Sequence, residues 1–521
     1  MKTFKTIRIG FAAMMIVALA MMSSCSSKND PINQIPENVD FAGVVNIHKV
    51  AAELGVEVTE TDIKLPEEFE AFESSINDEV IDLIIACNNA IDLSNIVSFG
   101  YVKTEKYPDV YVIAKVNDEK ALDAILVDEL NCEDDDEDGF RVYTPGVRNA
   151  EVVILVKDGL AWIVATNESE TAIKKVNKVI TRADEEKLID NGGLKDVLTD
   201  DNVCNTVINT SKFIKLFDKF GRYYVDTEVA VAMSSITSEI KDGWLTYTAD
   251  MSKTGFELTA KFIDSDGDII TFPGLEKIDS DFLTFVPNYY QSAFAIGLDN
   301  DALKTTIDNI ETLIEKNLRG SEKEICQTML NYVRNIDGTI SLNFGTEDLR
   351  KLLFEEDEKA LCFVTTIEMK NDEAEKTVDE IYNLISAKDP NGEFAKKIGS
   401  GNLEFSIRNY GKIVVESIDN LIVISNSDIT KGNTNSDLKS AVSGNDAAIC
   451  VVVPTFADLT DDACKFGAKA EITYKDGVCK AILDFTNLED SMVSSMIELS
   501  MSFNQAYQTY RNNYWKSLYG Y

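Results

Sequence analysis

Cysteine is the residue whose placement in this chain most directly implies chemistry. Cys25 follows Ser23-Ser24 at the end of an apolar stretch, Ile9 to Met22, itself preceded by Lys2, Lys5 and Arg8. A positive segment, an apolar segment and small residues before a cysteine form, in that order, a bacterial lipoprotein signal ending in a lipobox. Small side chains there let a signal peptidase approach the backbone, and the thiol of a new N-terminal cysteine can take a diacylglycerol thioether. Residues 1–24 are therefore expected to be a lipoprotein signal peptide, and Cys25 to carry the lipid, palmitate included. The apolar stretch would span about 21 Å at ~1.5 Å per residue, short of the ~30 Å hydrocarbon core, so it makes a poor transmembrane helix.

The other reactive residue types point to little. His48 is the single histidine, which excludes multi-histidine metal centres and, unless His48 is itself the base, Ser-His-Asp catalysis. It follows the apolar run Val44–Ile47 at an expected strand end, where packing or surface use is the plain reading. Beyond Cys25 stand Cys87, Cys132, Cys204, Cys326, Cys362, Cys450, Cys464 and Cys479, with no CxxC among them. Cys464 and Cys479 are the closest pair. A hairpin turning at Lys475-Asp476-Gly477 puts them some eight residues apart along a strand direction, about 25–30 Å, whereas a disulfide needs Cα atoms ~4.4–6.8 Å apart. Cys362 and Cys450 in strand runs and Cys326 in a helical pattern read as small hydrophobes.

Two acidic runs invite a calcium reading, Glu133 to Asp138 and Asp264-Ser265-Asp266-Gly267-Asp268. The second has its glycine one position early for an EF-hand loop and no closing glutamate, so a hairpin turn explains it better, and the first reads as a solvated loop. GxSxG and GxxxxGK[ST] are both absent, and Gly399-Ser400-Gly401 lacks the third glycine of a dinucleotide fingerprint. No catalytic, cofactor-binding or metal-ligating residue is assigned and no cofactor is expected. A carboxylate pair hidden among the 89 acids, acting on glycan or peptide, is the alternative enzymatic reading.

The elements that would carry such residues are written twice. Pro36 and Pro287 stand 251 residues apart, each opening an apolar strand that leads into a helical stretch. Val110 to Ala114, followed by Asn117-Asp118-Glu119 and a helix, matches Leu361 to Thr365, followed by Asn371-Asp372-Glu373 and a helix, again 251 residues on. A hairpin across Lys157-Asp158-Gly159 matches one across Ile418-Asp419-Asn420, and the pair Trp244–Asp250 with Gly255–Ile263 matches Ala468–Tyr474 with Gly477–Phe485. Helical spacing covers residues 118–130, 168–180, 300–317, 322–335, 372–387 and 488–510. Hairpins between the helices argue for the α+β class, as two duplicated halves of antiparallel sheet with helices packed on one face. The expected layout is signal peptide 1–24, lipidated tether 25–34, a first repeat domain 35–275 and a second 281–521, with a break near 270–284.

Charge limits the partners. Lys and Arg number 50 against 89 for Asp and Glu, a formal −39. A field of that sign repels phosphate backbones and anionic headgroups, so no nucleic acid is expected and attachment to a membrane must come from the lipid on Cys25. The location expected is the cell envelope, at the outer membrane, with the face open.

The cysteine signal, the short tether and Ile35-Pro36-Glu37-Asn38 leading into Val44-Val45-Asn46-Ile47 resemble a family of Bacteroidota lipoproteins, domain of unknown function 4836. That resemblance would cover essentially the whole mature chain, and it implies envelope location without catalytic residues. Non-enzymatic binding or scaffolding of a protein or glycan ligand is the favoured functional reading.

Overall fold

The computed structural model describes residues 30–519 apart from internal stretches, the longest of them 65–77, 216–239, 387–394 and 428–435. Cys25 and the signal peptide lie outside the described residues. What is described divides into two compact units, the first ending at Ile270 and the second beginning at Thr271.

Among the described residues, the main sheet of the first unit has ten strands: β1 (Phe41–Val45), β2 (Ile91–Tyr101), β3 (Asp109–Val116), β4 (Cys132–Glu137), β5 (Phe140–Pro145), β6 (Val153–Lys157), β7 (Leu160–Val164), β8 (Cys204–Asn209), β9 (Trp244–Met251) and β10 (Gly255–Ile263). They pair antiparallel in the order β4-β5-β6-β7-β3-β2-β1-β8-β9-β10. Helices α1 (Ile47–Glu53) and α2 (Asp78–Ala90) follow β1, α3 (Glu119–Ala124, continued by a π turn to Glu129) follows β3, and α4 (Ser169–Glu185) and α5 (Gly192–Leu198) follow β7.

The second unit repeats this plan. Its strands are β11 (Tyr290–Leu298), β12 (Ile336–Gly345), β13 (Cys362–Met369), β14 (Ala395–Gly399), β15 (Asn402–Ile407), β16 (Gly411–Ile418), β17 (Leu421–Ser425), β18 (Ala447–Val453), β19 (Gly467–Lys475) and β20 (Val478–Thr486). The order is β14-β15-β16-β17-β13-β12-β11-β18-β19-β20, which is the first unit's order with ten added to each strand. Most helices recur in place: α6 (Asn300–Asn317) and α7 (Gly320–Val333) follow β11 as α1 and α2 follow β1. A further helix, α8 (Leu349–Phe354), follows β12 without a described counterpart in the first unit. Then α9 (Glu373–Ser386) follows β13 as α3 follows β3, and α10 (Ser436–Val442) follows β17 where α4 and α5 follow β7. A last helix, α11 (Met492–Tyr519), closes the chain. The fold is α+β, duplicated, with antiparallel pairing throughout these ladders.

Local chemistry explains the hairpins. The β4–β5, β6–β7 and β19–β20 turns each place an aspartate and then a glycine at positive φ, Asp138 and Gly139 (50° and 78°), Asp158 and Gly159 (51° and 73°), Asp476 and Gly477 (50° and 86°). Two successive left-handed residues form the primed turn whose twist matches that of the flanking strands.

Four expectations need correcting. Helices cover both faces of the first sheet, not one: α4 and α5 pack on Val97, Phe99, Ile113 and Trp162, while α1, α2 and α3 pack on Ile91, Ile96, Ile154 and Ala161. The connections after β1 and β3 leave the sheet on one side and that after β7 on the other, so both faces find cover. The acidic run expected as a loop is strand β4, which pairs with β5 at the edge of the sheet. Edge strands tolerate exposed charge, and charge there discourages pairing with another chain. His48 lies in α1 rather than at a strand end, because Asn46 caps that helix by accepting the Lys49 N–H at 3.0 Å. The end of the expected tether is not loose: Pro31–Gln34 is a 3-10 turn whose Ile32, 5% exposed, belongs to the first core.

Candidate functional site

Direct partners across an antiparallel ladder share a face, so registers assemble rows of side chains. In the second unit Leu342 pairs with Phe294, Phe294 with Ile449, and Ile449 with Ile472. One row of large apolar residues thus crosses β12, β11, β18 and β19. Val451 lies on the same face two residues from Ile449. The row is open, with Phe294 39% and Ile472 47% exposed.

The opposite face of these strands is closed. Ala293 and Ala295 of β11 and Ala448 and Cys450 of β18 are buried under α10 and the 3-10 turn Ser280–Phe285. The open row continues at Thr365, the partner of Leu342, toward the part of the sheet where α9 buries Ala374 and Val378 against Leu403, Val415 and Ile422. One half of this face is therefore covered by a helix of its own unit, and the other presents hydrocarbon. Contiguous exposed apolar surface of this kind marks contact sites.

The first unit supplies a comparison within the chain. The 251-residue offset places Gly43 opposite Phe294, and the ladders of Gly43 give Ser98 and Thr206 where Phe294 has Leu342 and Ile449. Tyr247, partner of Thr206, stands where Ile472 does. The same sheet position is built from glycine and hydroxyl residues in one copy and from bulky hydrocarbon in the other. The fold itself does not require the apolar row.

The candidates singled out by sequence lie elsewhere and stay apart. His48 Nε2 is buried without a hydrogen-bond partner among the described residues. Burial lowers its imidazole from the ordinary 6.5 to about 4, against the pull of the Asp92 carboxylate. The unfolded chain therefore protonates His48 before the folded chain does. Its contribution to stability is complete above about pH 6.5 and is lost as the pH falls toward about 4. His48→Gln is expected to flatten the fall in denaturation midpoint across that window, and parallel curves for the two chains would refute the assignment. Asp30, whose carboxyl burial raises from 3.8, gives an opposite slope common to both chains.

Every described cysteine is unbonded. Burial pushes the Cys87 and Cys132 thiols up to about 11 and Cys450 up to about 12, so they stay protonated and act as packing groups. Cys87 borders an apolar cavity of about 30 Å³ between the first sheet and α3, which has room for no more than a small solvent molecule. In the run Asp264 to Asp268, Asp264 Oδ1 accepts the N–H groups of Asp266 and Asp268 at 2.9 and 3.0 Å, which makes it the clasp of a turn. In β4, Asp134 holds Arg141 at 2.7 Å, and Asp123 holds the same guanidinium at 2.9 Å. Among the described residues no group of three or more His, Cys, Asp or Glu side chains is placed to hold a metal ion.

In the second unit, carboxylates gather around Glu276. Burial raises Glu276, and Asp337, Asp299 and Glu368 add repulsion. Three of these four are already engaged: Asp299 accepts the Ala302 N–H at 3.0 Å, Asp337 the Asn300 N–H at 3.3 Å, and Glu368 the Thr339 N–H and the Asn420 amide, both at 2.9 Å. They fasten the start of α6 and the β12–β13 ladder.

No protein-family model matches the chain, and no curated protein matches it. Among solved structures, one titled "Structure of crystal form III of TP0453" aligns with 47% of this chain and 84% of its own, at 9% identity and a TM-score of 0.28. Similarity at that level establishes neither a shared fold nor a shared function.

Proposed function

We propose that this protein is a cell-envelope lipoprotein, anchored through lipid on Cys25, that binds or scaffolds a partner through the apolar face of its second sheet rather than by catalysis. The observation that carries the binding half is the open row Leu342–Phe294–Ile449–Ile472, set against the Ser98–Gly43–Thr206–Tyr247 row of the first unit. The anchoring half rests on the order of charge, apolar stretch and small residues before Cys25. That sequence and Ile35-Pro36 also support a resemblance to the Bacteroidota lipoproteins of domain of unknown function 4836.

An apolar dye such as anilinonaphthalene sulfonate tests the surface. The folded protein is expected to enhance its emission, and Phe294→Lys with Ile472→Lys to cut that enhancement several-fold. Both positions are partly open, so each substitution should cost no more than about 1 kcal/mol of stability. Unchanged dye emission from a folded double variant would remove the apolar row as the contact surface. For the hydrolytic alternative the gathering at Glu276 is the place to look, and its engaged neighbours favour a fastening role.

A further inference from the structure

We propose that the end of α11 docks on the interfacial layer of a lipid bilayer, as a second membrane contact independent of Cys25 and of the apolar sheet face. The middle of the helix is fixed to the second unit: Ala506 is buried, and Phe354 of α8 meets the rings of Phe503, Tyr507 and Tyr510 at centroid distances of 5.4, 5.7 and 5.7 Å. Beyond Tyr510 the helix leaves this support, and Arg511 to Ser517 are all exposed. The aromatic contacts continue outward nonetheless, with Tyr510 stacked on Tyr514 at 6.3 Å and Tyr514 edge-on to Trp515 at 6.1 Å.

The composition changes at the same point. In a chain of net charge −39, no acid follows Glu498, while Arg511 and Lys516 supply positive charge. Tyr514 and Trp515 are about half exposed. Tyrosine and tryptophan carry an apolar body and a polar tip, and they concentrate where hydrocarbon meets headgroups. Arginine and lysine beside them can lay their stems along the apolar layer and keep their charges in water. No described helix is long and apolar enough to cross a membrane, so the helix end would lie in the interface without spanning it. The excess negative charge elsewhere opposes an anionic surface. Recognition must therefore be aromatic, strongest with neutral phosphatidylcholine and little changed by salt.

Tryptophan fluorescence isolates the contact. Of the three tryptophans, Trp162 is buried and Trp244 packs against the first core, which leaves Trp515 to report lipid. The chain beginning at Ser26 keeps every described residue and has neither the acyl acceptor nor the apolar leader. Mixed with phosphatidylcholine vesicles brominated near the headgroup end of the acyl chains, it should show quenched emission. Trp515→Phe should abolish that quenching, and Tyr514→Glu, with Trp515 retained, should weaken vesicle affinity about tenfold. No quenching in the parent chain, or quenching that persists in Trp515→Phe, overturns the proposal. Self-association that depends on Trp515 without quenching would overturn it too, by assigning the helix end to a second copy. None of these outcomes bears on Cys25, which the tested chain lacks.

Discussion

Cys25→Ala is expected to move the protein from the membrane fraction to the soluble extract. Each acyl methylene buried in a bilayer contributes about 0.8 kcal/mol, and two chains hold a protein where one holds it only marginally. Removing the thiol that accepts them takes away many orders of magnitude in partitioning. An aromatic contact at the end of α11 is worth far less and is lost on the dilution that accompanies fractionation. Immunoblots of the two fractions read the change, and mass spectrometry of the mature N-terminus reads its cause. Membrane retention of Cys25→Ala, or a mature end without fatty acid, would refute the anchor.

Trp162→Ala is expected to be the most damaging single truncation in the first unit. The indole is 1% exposed in β7, paired across the ladders with Ile113 and Leu155, which are themselves fully buried. Deleting a ring from such a site costs about 3–5 kcal/mol in lost burial and residual cavity, a large share of the ~5–15 kcal/mol that holds a domain folded. Denaturant titration should show a transition assigned to the first unit shifted strongly to lower concentration, with Trp162→Phe shifted much less. A loss below about 1 kcal/mol for the alanine variant would mean that this core is not the one described.

The duplicated plan was readable because its markers are local. Asp158-Gly159 and Asp476-Gly477 announce tight turns whatever surrounds them, and the 251-residue spacing links strands whose topological places then agree. What sequence missed were elements decided by context. Residues 132–137 look wrong for a strand because aspartate is a poor strand former, yet an edge position paired to Phe140–Pro145 accepts them. Helices α1, α5 and α8 are too short for periodicity to speak, and each depends on a single capping side chain, Asn46, Asn191 or Asp348.

The apolar row was hidden for a different reason. In β11 the run Ala293-Phe294-Ala295-Ile296 is apolar on both faces, as a fully buried strand would be. Which face lacks cover is set by helices far away in sequence. The end of α11 was legible only as composition, since the helical pattern read over 488–510 stopped where the supported part of the helix stops.

The docking of Ile32 into the first core, together with the Asn95 amide bound to Asp30 at 3.0 Å, sets how far the molecule can stray from its support. Four residues separate Cys25 from Asp30, and the five steps between them, at most ~3.3–3.6 Å each, reach no more than about 18 Å. With acyl chains on Cys25, the first unit would be moored on a line no longer than about 18 Å. So short a mooring would keep the first unit over one small patch of headgroups, and a partner would have to share that patch or be delivered to it.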